Sequence, residues 1–154
     1  MQYFKKQRGF TLIEILIVIG IIAVLASIVI VAINPARQFA QARNTERTSA
    51  VSTVLNAIGQ DTADNEGVFG GVCSTAQSII PATSTDIGTA AGLVDLSCLV
   101  PTYIPSALPM DPIGGTASDT QYTVAVDATG RYTVCAPKAN EAALGSPGPI
   151  CLTR

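Results

Sequence analysis

Apolar residues follow three different patterns along the chain, and each pattern predicts a different element. From residue 10 to residue 33 the run FTLIEILIVIGIIAVLASIVIVAI is apolar on all sides. As a helix it is about 36 Å long, enough to cross a hydrocarbon layer of about 30 Å. Between residues 35 and 58 apolar positions recur at three- and four-residue steps, which predicts an amphipathic helix. Apolar and polar residues alternate in QYTVAVDATGRYTVCAP, which predicts a β-hairpin over residues 121–136.

The two helical patterns predict one long helix from Phe10 to about Ile58, bent near Pro35. Proline lacks the backbone N–H that would bond to the preceding turn, so we expect a kink at Pro35. Gly59 is the expected stop at the carboxyl end of the helix. The apolar positions expected on the packed face of the second half are Ala36, Phe39, Ala40, Ala50, Val51, Val54, Leu55 and Ile58.

Charge is distributed unevenly along the chain and limits the possible functions. Three bases, Lys5, Lys6 and Arg8, precede the apolar run, whereas residues 60–154 carry three bases and nine acids. The positive-inside rule places the basic amino end in the cytoplasm and the rest outside it. The chain has no histidine and a net charge of −2, which argues against imidazole-based catalysis and against binding driven by phosphate neutralisation. We therefore expect neither an enzyme nor a nucleic-acid-binding protein.

Glu14 is the one ionisable residue within the apolar run. An ionised side chain inside a membrane costs about 2.5–3.5 kcal/mol on insertion scales, so it favours a cationic partner. The run contains no Lys, Arg or His. Cleavage between Gly9 and Phe10 would create an α-ammonium group at Phe10, about one helical turn from Glu14.

The segment KKQRGFTLIEILIVIGIIAVLASIVI resembles the class III signal of type IV pilins and pseudopilins: a short basic leader, glycine before the cut, phenylalanine after it, and glutamate four residues further on. The resemblance implies that a prepilin peptidase removes the leader and methylates the new amine of Phe10. It also implies that Gly9 is needed for cleavage and Glu14 for assembly. The segments expected from it are the leader 1–9, a membrane or filament-core half of the helix over 10–34, an amphipathic half over 35–59, and a head over 60–154.

The same resemblance implies the α+β type IV pilin fold, in which a long bent amino-terminal helix packs against a small antiparallel sheet with disulfide-stapled loops. The expected function is structural: the major subunit of a type IV pilus. The alternatives are the major pseudopilin of a type II secretion system, a minor or DNA-uptake pilin, and a membrane-anchored enzyme or binding domain.

The partners implied by the resemblance are further copies of the chain, the prepilin peptidase, an inner-membrane assembly platform with its cytosolic ATPase, and the lipid bilayer before assembly. No cofactor and no specific nucleic acid are expected. The precursor is expected in the cytoplasmic membrane, with its amino end in the cytoplasm, and the assembled subunit in an extracellular pilus.

Within the head, residues 60–120 are expected to be mainly loop and residues 137–154 a carboxyl-terminal loop. Four cysteines lie in the head, at positions 73, 98, 135 and 151. An even number of cysteines outside the cytoplasm predicts disulfides, and three pairings are possible. Cys73–Cys98 and Cys135–Cys151 are favoured because each closes a local loop. A metal site is the alternative, but the cysteines lack CxxC spacing.

The segment PMDPIG, residues 109–114, resembles the P-x-D-P-x-G segment that precedes the sheet in many pseudopilins and small pilins. In secretion-system pseudopilins this region can bind calcium. The oxygen donors that the chain offers for calcium are Asp111, Asp119 and Asp127. The alternative is that these carboxylates cap turns and keep the surface soluble.

Three arginines, Arg37, Arg43 and Arg47, follow the apolar run on the exported side. One interpretation is a solvated helix face on which Arg43 and Arg47 flank Glu46. The other is that the arginines meet acidic residues of adjacent subunits.

Overall fold

A computed structural model describes residues 9–32 and 34–154 of the chain. It contains two helices and an antiparallel four-stranded sheet in the order β1-β2-β3-β4, the α+β architecture expected of the type IV pilin fold. The chain divides into two compact units between Gln38 and Phe39. The elements are α1 (Leu12–Ala32), α2 (Pro35–Asp64), β1 (Thr85–Asp86), β2 (Thr123–Val126), β3 (Tyr132–Ala136) and β4 (Ile150–Thr153).

Helix α1 is apolar around its whole circumference and exposes these side chains. The large apolar residues from Leu12 to Ile30 are each at least half exposed. The stretch from Leu12 to Ile30 is long and apolar enough to cross a membrane. A helix without a polar face has no side to present to water, so its stable surroundings are lipid or other apolar helices.

Pro35 begins a helix in the structure, whereas the sequence predicted a bend within one continuous helix. Helix α1 ends at Ala32 and α2 starts at Pro35. The Oδ1 atom of Asn34 accepts a hydrogen bond from the backbone N–H of Arg37 at 3.2 Å, so Asn34 caps the second helix. Proline is favoured at the first helical position because the missing N–H would have no partner within the helix there.

Helix α2 continues to Asp64 and passes through Gly59, so the predicted stop at this glycine was wrong. Gly59 is exposed on the helix surface, and its backbone does not take the left-handed conformation of a helix-ending glycine. The fully buried Asp61 stabilises the carboxyl end of helix α2. Its carboxylate accepts the backbone N–H groups of Gly70 at 2.8 Å and Val72 at 3.2 Å, which fixes the following loop.

The predicted hairpin is present as strands β2 and β3, with Val124 opposite Val134. Both valines are fully buried. The carboxyl segment, which was predicted to be loop, contains strand β4, which pairs with the free edge of β3 and places Cys151 opposite Cys135. The loop region before the hairpin contributes the two-residue strand β1 at the other edge.

One face of α2 packs against the sheet and the loops and forms the core with them. Phe39 differs from the prediction, because its side chain is 65% exposed and does not belong to this core. Ala36 is exposed as well. The buried apolar residues of α2 are Ala40, Ala50, Val51, Val54, Leu55, Ala57 and Ile58.

Two disulfides join the cysteines as the favoured pairing predicted. Cys73 is bonded to Cys98, and Cys135 is bonded to Cys151. The first disulfide joins two positions within the loop region, and the second joins strand β4 to strand β3. Each closed loop removes conformational freedom from the unfolded chain, which is worth about 2–4 kcal/mol per disulfide.

Candidate functional site

The predicted cleavage junction lies in exposed, non-helical backbone immediately before α1. Gly9 and Phe10 are both exposed, and the Phe10 side chain is 84% exposed. A methyl group added at Gly9 would meet no atom of the described residues within 4 Å. Packing within the described chain therefore gives no reason for glycine at this position.

Glu14 and Thr11 form a capping box at the amino end of α1. The Glu14 Oε2 atom accepts the backbone N–H of Thr11 at 2.7 Å and its hydroxyl at 2.8 Å. In return, the Thr11 hydroxyl accepts the backbone N–H of Glu14 at 3.3 Å. These reciprocal bonds satisfy two N–H groups that a helix leaves without partners. They also hold the Glu14 carboxylate at Thr11, the residue next to Phe10, whose backbone nitrogen the cleavage would release.

The residues around this site match a known family model. The description of the model is a prokaryotic N-terminal methylation motif, and it covers residues 4–30 of the chain. The chain carries a class III prepilin signal. No curated protein and no solved structure shows significant similarity to the chain.

The prepilin signal combines Gly9, Phe10 and Glu14 with the exposed apolar helix that follows them. It implies processing by a prepilin peptidase and membrane anchoring of the precursor through α1. A signal of this kind is typical of a structural pilin-like or pseudopilin subunit.

A buried ion pair anchors the loop before the hairpin to helix α2. Arg47 is completely buried, and Asp111 is 3% exposed. The Arg47 guanidinium donates from Nε to Asp111 Oδ2 at 2.7 Å and from Nη2 to Asp111 Oδ1 at 3.1 Å. This two-point geometry fixes both position and orientation. Asp111 also accepts the backbone N–H of Ile113 at 2.8 Å, so the loop is held from both sides.

Glu141 extends the ion pair into a four-residue cluster, which we call the Arg47 cluster: Arg43, Arg47, Asp111 and Glu141. Glu141 accepts hydrogen bonds from both Arg43 and Arg47. The Arg43 guanidinium, together with that of Arg47, lowers the pKa of Glu141 to about 2. The cluster joins α2 to the segments around residues 111 and 141.

The Arg47 cluster corrects both interpretations of the arginines beyond the apolar run. Arg47 is not part of a solvated face, and neither Arg43 nor Arg47 is left to meet an adjacent subunit, because both pair with carboxylates of their own chain. The sequence did contain a signal for this. Arg47 and Asp61 fall on the same three- and four-residue steps as Val51, Val54 and Ile58, which places two polar residues on the buried stripe.

The three candidate calcium ligands serve separate purposes in the structure. Asp111 pairs with Arg47, Asp119 accepts hydrogen bonds from Gln121, and Asp127 accepts the backbone N–H groups of Thr129 and Arg131 in the hairpin turn. Within residues 9–32 and 34–154, no three acidic or cysteine side chains are arranged to hold a metal ion.

The Glu141 ion pairs should make the head sensitive to strong acid. The Glu141 carboxyl has a pKa of about 2 in the folded chain against an ordinary 4.5, so the unfolded state binds the proton more tightly. Its contribution to stability is complete above about pH 4.5 and is lost as the pH falls through about 2. We expect the Glu141→Gln variant to have a lower Tm at pH 6 and a smaller fall in Tm between pH 5 and pH 2.

Thermal unfolding of both proteins across this pH range measures the difference. Glu66→Gln is the matched control, because Glu66 is exposed and takes part in none of the ion pairs found among the described residues. Parallel Tm curves for the wild type and Glu141→Gln would contradict the role assigned to Glu141.

The Tyr122 side chain is buried, and its hydroxyl has no hydrogen-bond partner among the described residues. Burial, reinforced by the Asp111 carboxylate, raises the pKa of Tyr122 to about 12.

A buried hydroxyl without a partner costs about 1–3 kcal/mol, so Tyr122→Phe should raise the free energy of unfolding by about 1 kcal/mol. Urea unfolding tests this, with the half-buried Tyr132→Phe as control. A loss of stability in Tyr122→Phe would indicate that an internal water molecule bonds to the hydroxyl.

Proposed function

We propose that the chain is the major structural subunit of a bacterial type IV pilus and polymerises into an extracellular filament. The observation that carries this proposal is the arrangement at the amino end of α1. An exposed cleavage junction is followed at once by the capped Glu14 carboxylate and by a helix that is apolar on all sides. A simple membrane anchor has no use for such a carboxylate.

Assembly follows from the chemistry of this end. Cleavage after Gly9 supplies a cation near Glu14, the new ammonium at Phe10. Pairing between these groups sets the axial register of neighbouring subunits. Lipid tails and packed apolar helices are similarly apolar, so burial alone gives little drive for leaving the membrane, and the ion pair with close helix packing supplies order and direction.

The head supports a subunit that is exposed outside the cell. Two disulfides and the Arg47 cluster hold together a domain with short strands and long loops. Disulfide bonds form and persist in an oxidising environment such as the outside of the cell. The expected partners are other copies of the chain, the prepilin peptidase, and the inner-membrane platform with its ATPase, which extracts the subunit from the bilayer.

The test is electron microscopy of sheared surface fibres combined with mass spectrometry of their subunit. We expect long fibres whose subunit begins with N-methylated Phe10. A processed subunit that stays in the cell envelope would favour the major pseudopilin of a type II secretion system instead. A subunit found only in trace amounts within fibres built of another protein would indicate a minor or DNA-uptake pilin.

A further inference from the structure

The residues between the apolar helix and the packed part of α2 form an exposed collar, residues 34–39. All six are exposed, and the next residue, Ala40, is fully buried. The collar contains Arg37, which takes part in none of the ion pairs found among the described residues. It also contains Phe39, which is 65% exposed although it is aromatic.

Chain length sets where the collar lies when α1 crosses a membrane. A hydrocarbon core of about 30 Å takes about 20 helical residues. The apolar run ends at Ile33, and Asn34 is the first polar residue after it, so the core ends near residue 34. The headgroup layer on each side is about 5–8 Å thick, which corresponds to about three to five helical residues. The collar coincides with this layer on the exported side.

The positions of Arg37 and Phe39 around the helix also favour contact with a surrounding layer over contact with a single protein surface. Residues two apart on a helix are separated by about 200° around its axis, so Arg37 and Phe39 lie on nearly opposite sides. One partner surface would cover one of them and leave the other exposed. A helix that passes through a headgroup layer is surrounded by it on every side.

We propose that, in the inserted monomer, the collar lies in the outer headgroup layer of the membrane, with Arg37 bound to lipid phosphate and Phe39 at the edge of the acyl chains. The proposal rests on the membrane insertion of α1 under the proposed function. Guanidinium groups bind phosphate with two parallel hydrogen bonds, and aromatic side chains with cationic neighbours are suited to membrane interfaces. The lipid contact also accounts for a base on the exported side, where the positive-inside rule does not place one.

The chain contains no tryptophan, so one substitution introduces a unique fluorescent reporter. The full-length Phe39→Trp protein is reconstituted into vesicles of phosphatidylglycerol and phosphatidylcholine, with a quencher attached near the headgroup or deep in the acyl chain. We expect blue-shifted emission that the shallow quencher reduces more than the deep one. Ile79→Trp is the control, because Ile79 is equally exposed, at 69%, but lies in the head. A tryptophan at position 39 with the emission of water-exposed indole overturns the proposal.

Insertion itself is checked with Ile21→Trp, which lies in the middle of α1. Deep quenching at position 21 together with unquenched, water-exposed emission at position 39 overturns only the collar. Absence of deep quenching at position 21 contradicts the membrane insertion on which the proposed function also depends.

The Arg37 contact is tested with the shallow quencher placed on either lipid of a mixed vesicle. A cation near a membrane surface contributes about 1 kcal/mol, so we expect the anionic lipid to be enriched about fivefold around position 39. Arg37→Gln should remove this preference, and Arg131→Gln in the hairpin turn should leave it unchanged. An unaltered preference in Arg37→Gln overturns the phosphate contact. Suppression of the preference by inorganic phosphate, but not by the same ionic strength of chloride, identifies free phosphate as the ligand and overturns the lipid source.

Discussion

Replacing Arg47 by methionine is expected to lower the free energy of unfolding of the head by about 3–5 kcal/mol. The substitution leaves the Asp111 carboxylate buried without its cation, and a buried unpaired charge is among the most costly defects in a folded protein. It also removes one of the two donors that hold Glu141. Urea unfolding of the full-length protein in detergent micelles, followed by near-UV circular dichroism of the tyrosines, measures the loss.

Two further variants show whether the loss comes from the stranded charge. Arg37→Met is the matched control in the same helix, and its effect should stay within about 0.5 kcal/mol because Arg37 is exposed. The double variant Arg47→Met/Asp111→Leu should be more stable than Arg47→Met alone, since removing both charges avoids the unpaired one. If the double variant is the less stable of the two, the hydrogen bond that Asp111 accepts from its own loop outweighs the cost of its unpaired charge.

The variant Glu14→Gln is expected to reduce the yield of filaments by about tenfold or more, because a hydrogen bond to a charged group contributes about 1.5–3 kcal/mol. Glutamine is nearly the same size and still completes the capping box with Thr11, so helix α1 starts where it does in the wild type. Only the negative charge that we propose to pair with the Phe10 ammonium is lost. The yield is measured by shearing cells and quantifying the subunit in pelleted fibres.

Two controls separate the charge of Glu14 from other effects. Glu46→Gln removes an exposed carboxylate from α2 and should assemble normally. Thr11→Val removes the hydroxyl of the capping box but keeps the Glu14 charge, and it should retain more filament than Glu14→Gln. Fibres formed in normal amounts by Glu14→Gln would contradict the electrostatic account of assembly and leave the proposed function without its physical basis.

The amino-terminal unit was largely predictable, because its features are local. An apolar run specifies a membrane-compatible helix whatever the rest of the chain does, and the prepilin signal is a contiguous pattern. The hairpin was also predictable from its alternation, and both disulfides from their short loops. In each case the information lies within a few tens of residues.

Features that depend on distant residues were missed. Neither interpretation of Arg47 placed it in the core, because an arginine is usually exposed, and only its partner 64 residues away makes burial favourable. Helix α2 extends past Gly59 because Asp61 is bonded to a loop that comes later in the chain. Strand β4 lacks the alternation of buried and exposed residues that marks a half-buried strand, and it pairs with the free edge of β3.

The Arg47 cluster also joins parts of the head that lie far apart in the sequence. Arg47 bonds to residues 64 and 94 positions further along the chain, so its charge gains these partners only when both segments have folded back onto α2. Contacts between such distant positions form late, because they require long loops to close. The disulfides join cysteines only 25 and 16 positions apart, so we expect both of these loops to close before the Arg47 cluster forms.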